Sequence, residues 1–254
     1  MPSTTGIATR LAAVRRRVDA AATAAGRVPS DVRTLLATKT QDGATVREAV
    51  LAASALAAAA GDTRPVLVGE NRVQELVAKA PDLADLVADG RLAVHMIGHL
   101  QRNKINPALA TATGVETIDS LALAEALSAR CDRDGRTLDV MVQVNVSGEA
   151  SKSGVHPDDA VGLAVAVATL PGLRLTGFMT IGARSDDDDV VRAGFARLRR
   201  IRDEVVAGGA PGTAEARELS MGMTSDLELA VAEGATIVRV GTGVFGAHRE
   251  VAPA

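Results

Sequence analysis

Lys39 closes a short apolar run, Thr34-Leu35-Leu36-Ala37-Thr38, and the polar Thr40-Gln41-Asp42 follow at once. An apolar run of that length between polar turn residues reads as a buried strand, and the helical pattern after it makes a βα unit. α/β proteins build their sites at the C-terminal ends of strands, so an amine at this position points to chemistry. The chain holds only four lysines, Lys39, Lys79, Lys104 and Lys152, against twenty-four arginines. Arginine cannot form a Schiff base; a lysine can, because burial lowers its pKa. A chain this rich in arginine that keeps a lysine at a strand end points to a deprotonatable amine there.

The second signal is a pair of loops suited to an anion. A candidate seventh strand leads into Ser220-Met221-Gly222-Met223-Thr224-Ser225-Asp226, and an eighth ends in Arg239-Val240-Gly241-Thr242-Gly243 with Phe245-Gly246 beyond. Glycines let backbone N–H groups approach an anion, and serine and threonine add hydroxyl donors. Either loop alone is ordinary turn and capping chemistry; together they fall where (β/α)8 barrels bind phosphate. Arg239 sits inside the apolar run Ile237-Val238-Arg239-Val240, where an unpartnered guanidinium would be costly. It must meet a ligand or a strand carboxylate such as Glu116 or Glu218.

Three further segments carry polar groups at strand ends. Asn71, in Gly69-Glu70-Asn71-Arg72-Val73-Gln74-Glu75, either caps the next helix or reaches the site. His95 and His99 lack the carboxylate or cysteine cluster of a metal site and read as hydrogen-bonded histidines. Asn145-Val146-Ser147-Gly148-Glu149-Ala150-Ser151-Lys152-Ser153-Gly154 brings a second lysine near the same end, either a solvated loop residue or a second docking amine. The acidic run Asp186–Asp189 reads as a helix N-terminus.

The elements that must position these groups alternate along the whole chain. Strands are expected at Arg33–Thr38, Pro65–Gly69, Ala93–Gly98, Val115–Asp119, Asp139–Val146, Leu173–Ile181, Glu218–Met221 and Ile237–Gly241. An opening helix over Ile7 to Ala25 ends at Gly26, and helices over Ser120–Arg130, Pro157–Leu170, Asp188–Ala207 and Ser225–Glu233 are the clearest of the rest. Eight βα-type strands at 254 residues fit a single-domain (β/α)8 TIM barrel over residues 1–254, with a doubly wound sheet as the alternative. In the fifth strand Val140, Val142, Val144 and Val146 share one parity, and Met141, Gln143 and Asn145 the other. One face of a barrel strand packs on helices and the other points inward, so Gln143 and Asn145 either face the barrel mouth or are hydrogen-bonded core amides, a reading that suits Gln143 better than Asn145, which is nearer the mouth.

Composition excludes several classes. A net charge of −3 gives no nucleic-acid-binding face, and the arginine clusters at Arg15–Arg17 and Arg197–Arg202 read as solvated helix faces. The longest apolar stretch, Ala49 to Ala60, is too short for a bilayer, and no signal core opens the chain. The lone Cys131 excludes an internal disulfide and suits a reducing cytoplasm, so a cytoplasmic protein is expected. There is no tyrosine and no tryptophan.

An amine, an anion cradle and a buried arginine would together fit an aldehyde carrying a phosphate. Pyridoxal 5′-phosphate is the commonest such cofactor, with sugar phosphates as competing guests. The same segments resemble the pyridoxal phosphate homeostasis protein family, relatives of the N-terminal barrel of alanine racemase. The resemblance rests on Lys39, Gly69-Glu70-Asn71, Ile97 to Lys104, Ser151-Lys152-Ser153-Gly154, Leu219 to Asp226, and Arg239-Val240-Gly241-Thr242 with Phe245-Gly246. It implies Lys39 as the Schiff-base lysine, Ser220, Gly241 and Thr242 on the phosphate, Arg239 near the pyridine nitrogen, and Asn71 lining the pocket. Val68 and Arg72 stand where the family usually has aromatics, and the usual proline after Lys39 is absent.

The expected function is cofactor holding and supply in vitamin B6 homeostasis, without robust catalysis, by a monomer whose partners are the cofactor and pyridoxal-phosphate-dependent apoenzymes. An arginine at the pyridine nitrogen keeps it unprotonated and weakens the cofactor as an electron sink. Alanine racemases work with a lysine and a tyrosine as opposed bases, and this chain has no tyrosine. The alternative is a racemase-like enzyme with His95 as the second base; a Schiff-base aldolase acting on a sugar phosphate is weaker.

Overall fold

The computed structural model describes residues 4–149 and 152–246. Ala150, Ser151 and the segment after Gly246 lie outside the described residues. Helix α1 (Thr4–Ala24) precedes the first strand, and its chain turns at Gly26, which takes the left-handed conformation (φ +68°) that ends helices. The strands are β1 (Arg33–Ala37), β2 (Val66–Glu70), β3 (Leu92–Met96), β4 (Gly114–Ile118), β5 (Leu138–Gln143), β6 (Leu173–Met179), β7 (Glu218–Ser220) and β8 (Ile237–Val240). Between them run α2 (Gly43–Ala59), α3 (Val73–Ala88), α4 (Ile105–Leu109), α5 (Leu121–Arg133), α6 (Ala160–Ala168), α7 (Asp188–Gly208) and α8 (Leu227–Ala232); α9 (Thr242–Phe245) follows β8.

Neighbouring strands are parallel throughout, and β8 returns to pair with β1, from Arg33 opposite Ile237 to Leu36 opposite Val240. That closure settles the barrel against the doubly wound sheet. Two apolar layers follow from the two-residue strand period. Leu36, Val68, Val94, Val140, Val142, Leu219, Val238 and Val240 face the helices in one large core. Leu35, Leu67, Met141, Met179 and Ile237 fill the barrel interior, with Ala93 and Ile97 packed against them.

Every strand differs from the sequence reading by one to three residues at one or both ends, and two of these ends bear on the site. β5 stops at Gln143 rather than Val146, because Val144 makes only an isolated bridge with Val155. The alternating apolar pattern simply continues past the last paired residue. β6 stops at Met179, and the chain beyond it, Thr180 to Gly182, turns outward through hydrogen bonds from Thr180 to Ser220 O and Val144 O. Asp187 caps α7 by accepting from the Asp189 N–H, as the acidic run implied. Cys131 is a buried free thiol.

Candidate functional site

Period two also decides which side chains reach the barrel mouth. The inward parity of β1 runs through Leu35, Ala37 and Lys39; of β2 through Leu67, Gly69 and Asn71; of β3 through Ala93, His95 and Ile97. In β6 it continues to Met179 and Ile181, and in β8 to Ile237, Arg239 and Gly241. The last members of these series meet in one cavity of about 470 Å³, lined by Ala37, Lys39, Asn71, Ile97, Ile181 and Arg239 together with the turns Met223-Thr224-Ser225 and Gly241-Thr242. Five of the six expected site residues, Lys39, Asn71, Arg239, Gly241 and Thr242, therefore line a single space.

Ser220 does not. Its inward position pairs with Met179 and Ile237, a step deeper than Arg239, and it is fully buried. Its hydroxyl donates to Glu116 Oε2 (2.6 Å) and accepts from Arg239 Nη1 (2.9 Å). Thr224 and Ser225, four and five residues further along the same loop, are the hydroxyls at the cavity. The polar residues of the interior form a chain. Arg239 Nη2 donates to the Thr180 carbonyl at 2.7 Å, and His95 Nδ1 lies 2.8 Å from Glu116 Oε1. Arg239 is thus coupled to Glu116 through a serine rather than by direct contact. Burial alone would raise the Glu116 carboxyl, but the hydrogen bond and charge of His95, the charge of Arg239 and the Ser220 hydroxyl bring it below its ordinary value. Burial pulls the Arg239 guanidinium down while Glu116 and Asp226 oppose it; a guanidinium nonetheless stays charged in a protein.

Lys39 stands two residues past β1 and is exposed, not buried as a deprotonatable amine was expected to be. Among the described residues its amine forms no hydrogen bond or ion pair, so it is available to a guest in the cavity. Asn71 is held there by backbone contact: a Cβ on Gly98 would overlap the Asn71 carbonyl. Gly98→Ala is expected to cost about 1–3 kcal/mol through overpacking, seen as a lower denaturant midpoint at unchanged slope. Gly241 has a similar reason to lack a side chain, since its Cβ would stand 3.2 Å from the Ala37 carbonyl oxygen.

The remaining candidates fall outside this space. His95 is a hydrogen-bonded interior histidine. Gln143 faces inward and donates to Ser153 O, whereas Asn145, past the end of β5, ties its own loop together through Glu149 O and Lys152 O. Lys152 donates to Glu149 Oε1 (2.5 Å) and Gly182 O (2.8 Å) and borders a neighbouring cleft. The sequence reading missed Ile97 and Ile181 as lining residues; continuing the strand period past the strand ends would have found both.

The closed barrel with an amine after its first strand and hydroxyl-rich turns after its seventh and eighth is of the alanine racemase N-terminal domain type, and residues 10–249 match that family. The pyridoxal phosphate homeostasis protein of Pseudomonas aeruginosa is 43% identical over 248 residues, covering 98% of either chain. An unknown protein from Bifidobacterium adolescentis has a crystal structure with a TM-score of 0.87 at 44% identity, covering 95% of each chain. PipY of Synechococcus elongatus PCC7942, solved with pyridoxal phosphate bound, has a TM-score of 0.76 at 33% identity over 94% of this chain and all of its own. This chain belongs to the pyridoxal phosphate homeostasis protein family.

Proposed function

We propose that this protein binds pyridoxal 5′-phosphate, holds it as a Schiff base on Lys39 and acts in pyridoxal phosphate homeostasis without robust catalysis. The observation that carries the reading is the convergence of one free amine, one buried guanidinium and two hydroxyl-bearing turns on a single cavity. The donor set fits the cofactor: the amine matches its aldehyde, Arg239 its pyridine nitrogen, and Thr224, Ser225, Gly241 and Thr242 its phosphate. When bound, the cofactor supplies an electrophilic carbonyl and a conjugated ring. Lys39 Nζ would supply the amine that condenses with that carbonyl, with its oxygen lost as water. Asn71, Ile97 and Ile181 line the pocket beside the ring, and Ser220 acts through Arg239 rather than on the phosphate.

Carriage rather than turnover is supported by the placement of His95, the group weighed as a second base. His95 lies inside the barrel against Glu116 and does not line the cavity, and the chain has no tyrosine. The whole chain, residues 1–254, acts as one cofactor-binding domain, as a cytoplasmic monomer, with pyridoxal-phosphate-dependent apoenzymes as recipients. Among the described residues no helix is long and apolar enough to cross a membrane.

Borohydride reduction of the protein mixed with pyridoxal 5′-phosphate, followed by peptide mass mapping, should place the label on Lys39. Labelling elsewhere, or none, overturns the assignment. Deuterium exchange at Cα of alanine or serine should be negligible; brisk exchange would replace the carrier reading with the racemase-like one.

A further inference from the structure

We propose that Glu75 and Lys79, on α3, are positioning residues that aim Lys39 by gripping the backbone on both sides of it. The inference deepens the assignment of Lys39 as the attachment point and rests on that reading. Because the Lys39 amine forms no bond to described residues, its direction is set by its backbone alone. That backbone is fixed from outside the barrel. Immediately before Lys39, the Thr38 carbonyl accepts from Lys79 Nζ at 2.8 Å. Immediately after it, the Thr40 N–H donates to Glu75 Oε2 at 2.9 Å.

Thr40 needs such a hold. Its φ of +66° puts a β-branched residue in the left-handed region, and among the described residues it is the only non-glycine there. Such a conformation is disfavoured for a β-branched residue and persists only where surrounding contacts impose it. The turn it makes is what carries the chain from β1 toward α2 with Lys39 at the cavity edge.

Lys79 is the less expected partner. At an i,i+4 spacing from Glu75 it reads as half of a solvated helix pair, yet it is only 6% exposed. Its amine also meets Glu70 Oε1 at 2.7 Å, and Thr38 Oγ1 donates to the same oxygen. Burial raises the Glu70 carboxyl, and Lys79 and Thr38 act against that rise. Buried ion pairs return little net stability over apolar packing of the same volume. Stability therefore gives little reason for this cluster, whereas its position gives one: Lys79 and Glu75 each end on one of the two peptide units flanking Lys39, and Glu70 holds the Lys79 amine there.

The test uses Glu75→Ala and Glu75→Gln, at a half-buried position where folding is retained. Hydrogen exchange of the Thr40 amide is read in the unloaded protein, covalent attachment of pyridoxal 5′-phosphate by stopped-flow absorbance, and affinity for pyridoxine 5′-phosphate by calorimetry. The last has the ring and phosphate but no aldehyde. Glu75→Ala should speed Thr40 exchange and slow attachment by about 10–100-fold, the penalty of a misaimed nucleophile, while pyridoxine 5′-phosphate binds as before. Glu75→Gln, whose amide oxygen still accepts from Thr40, should restore exchange and attachment. Lys79→Met combined with Glu70→Gln, which avoids stranding a buried charge, should slow attachment in the same way. Attachment by Glu75→Ala at the wild-type rate overturns the proposal, as does a parallel loss of pyridoxine 5′-phosphate binding, which would mark general disruption. Wild-type protein that attaches nothing at Lys39 overturns the underlying assignment instead.

Discussion

Glu116→Gln is expected to destabilise the protein by about 3–5 kcal/mol at pH 7, the scale for removing one partner of a buried charge network. The carboxylate is fully buried and is the one acidic group in contact with both His95 and Ser220, and through Ser220 it answers Arg239. Without it a guanidinium deep in the barrel faces only a hydroxyl and the Thr180 carbonyl. The effect depends on pH with a defined sign. The folded Glu116 pKa lies below the ordinary 4.5 of the unfolded chain, so its contribution is fully present above 4.5 and is lost as pH falls through the folded value. Denaturant titrations of wild type and Glu116→Gln should therefore begin to converge as pH falls below 4.5 and meet below the folded pKa. A gap that stays constant into acid would show that the charge of Glu116 is not what stabilises the barrel.

Lys39→Ala is expected to do the opposite: leave stability within about 0.5 kcal/mol, since the side chain is exposed and makes no bonds to described residues, yet remove the function. Loss of the covalent link should raise the dissociation constant for pyridoxal 5′-phosphate about 100-fold, or ~3 kcal/mol, and abolish the visible absorption of the attached aldehyde. Lys39→Arg is the stricter control, because it keeps the positive charge and most of the length but cannot condense with a carbonyl. Gel filtration of loaded protein, with absorbance and thermal melting on the same samples, reads all of these. Retention of the band in either variant sinks the assignment of Lys39.

The apolar runs made the barrel legible because each strand is buried on both faces, and the parity of β5 separated interior from exterior before any coordinate was known. The place of Lys39 and Gly241 at the cavity was legible because each follows the end of an apolar run, and that of Arg239 because it interrupts one. Ser220 was not, because its partner Glu116 lies 104 residues away and only closure of the barrel shows which layer a serine occupies. The burial of Lys79 was not legible, because helical spacing says where a side chain starts and not that Glu70, at the end of β2, waits to receive it. Asn145 was placed at the mouth because an alternating pattern does not announce where pairing stops.

The pairing of β1 with β8 has a consequence in time. Lys39 emerges from the ribosome well before Arg239, Gly241 and Thr242. Until β8 is made only the β2 edge of β1 has a partner, and neither the guanidinium nor the Gly241-Thr242 turn of the cavity exists. A nascent chain therefore carries a bare lysine until β8 is made, and the event that completes the barrel wall is the same one that assembles the pocket.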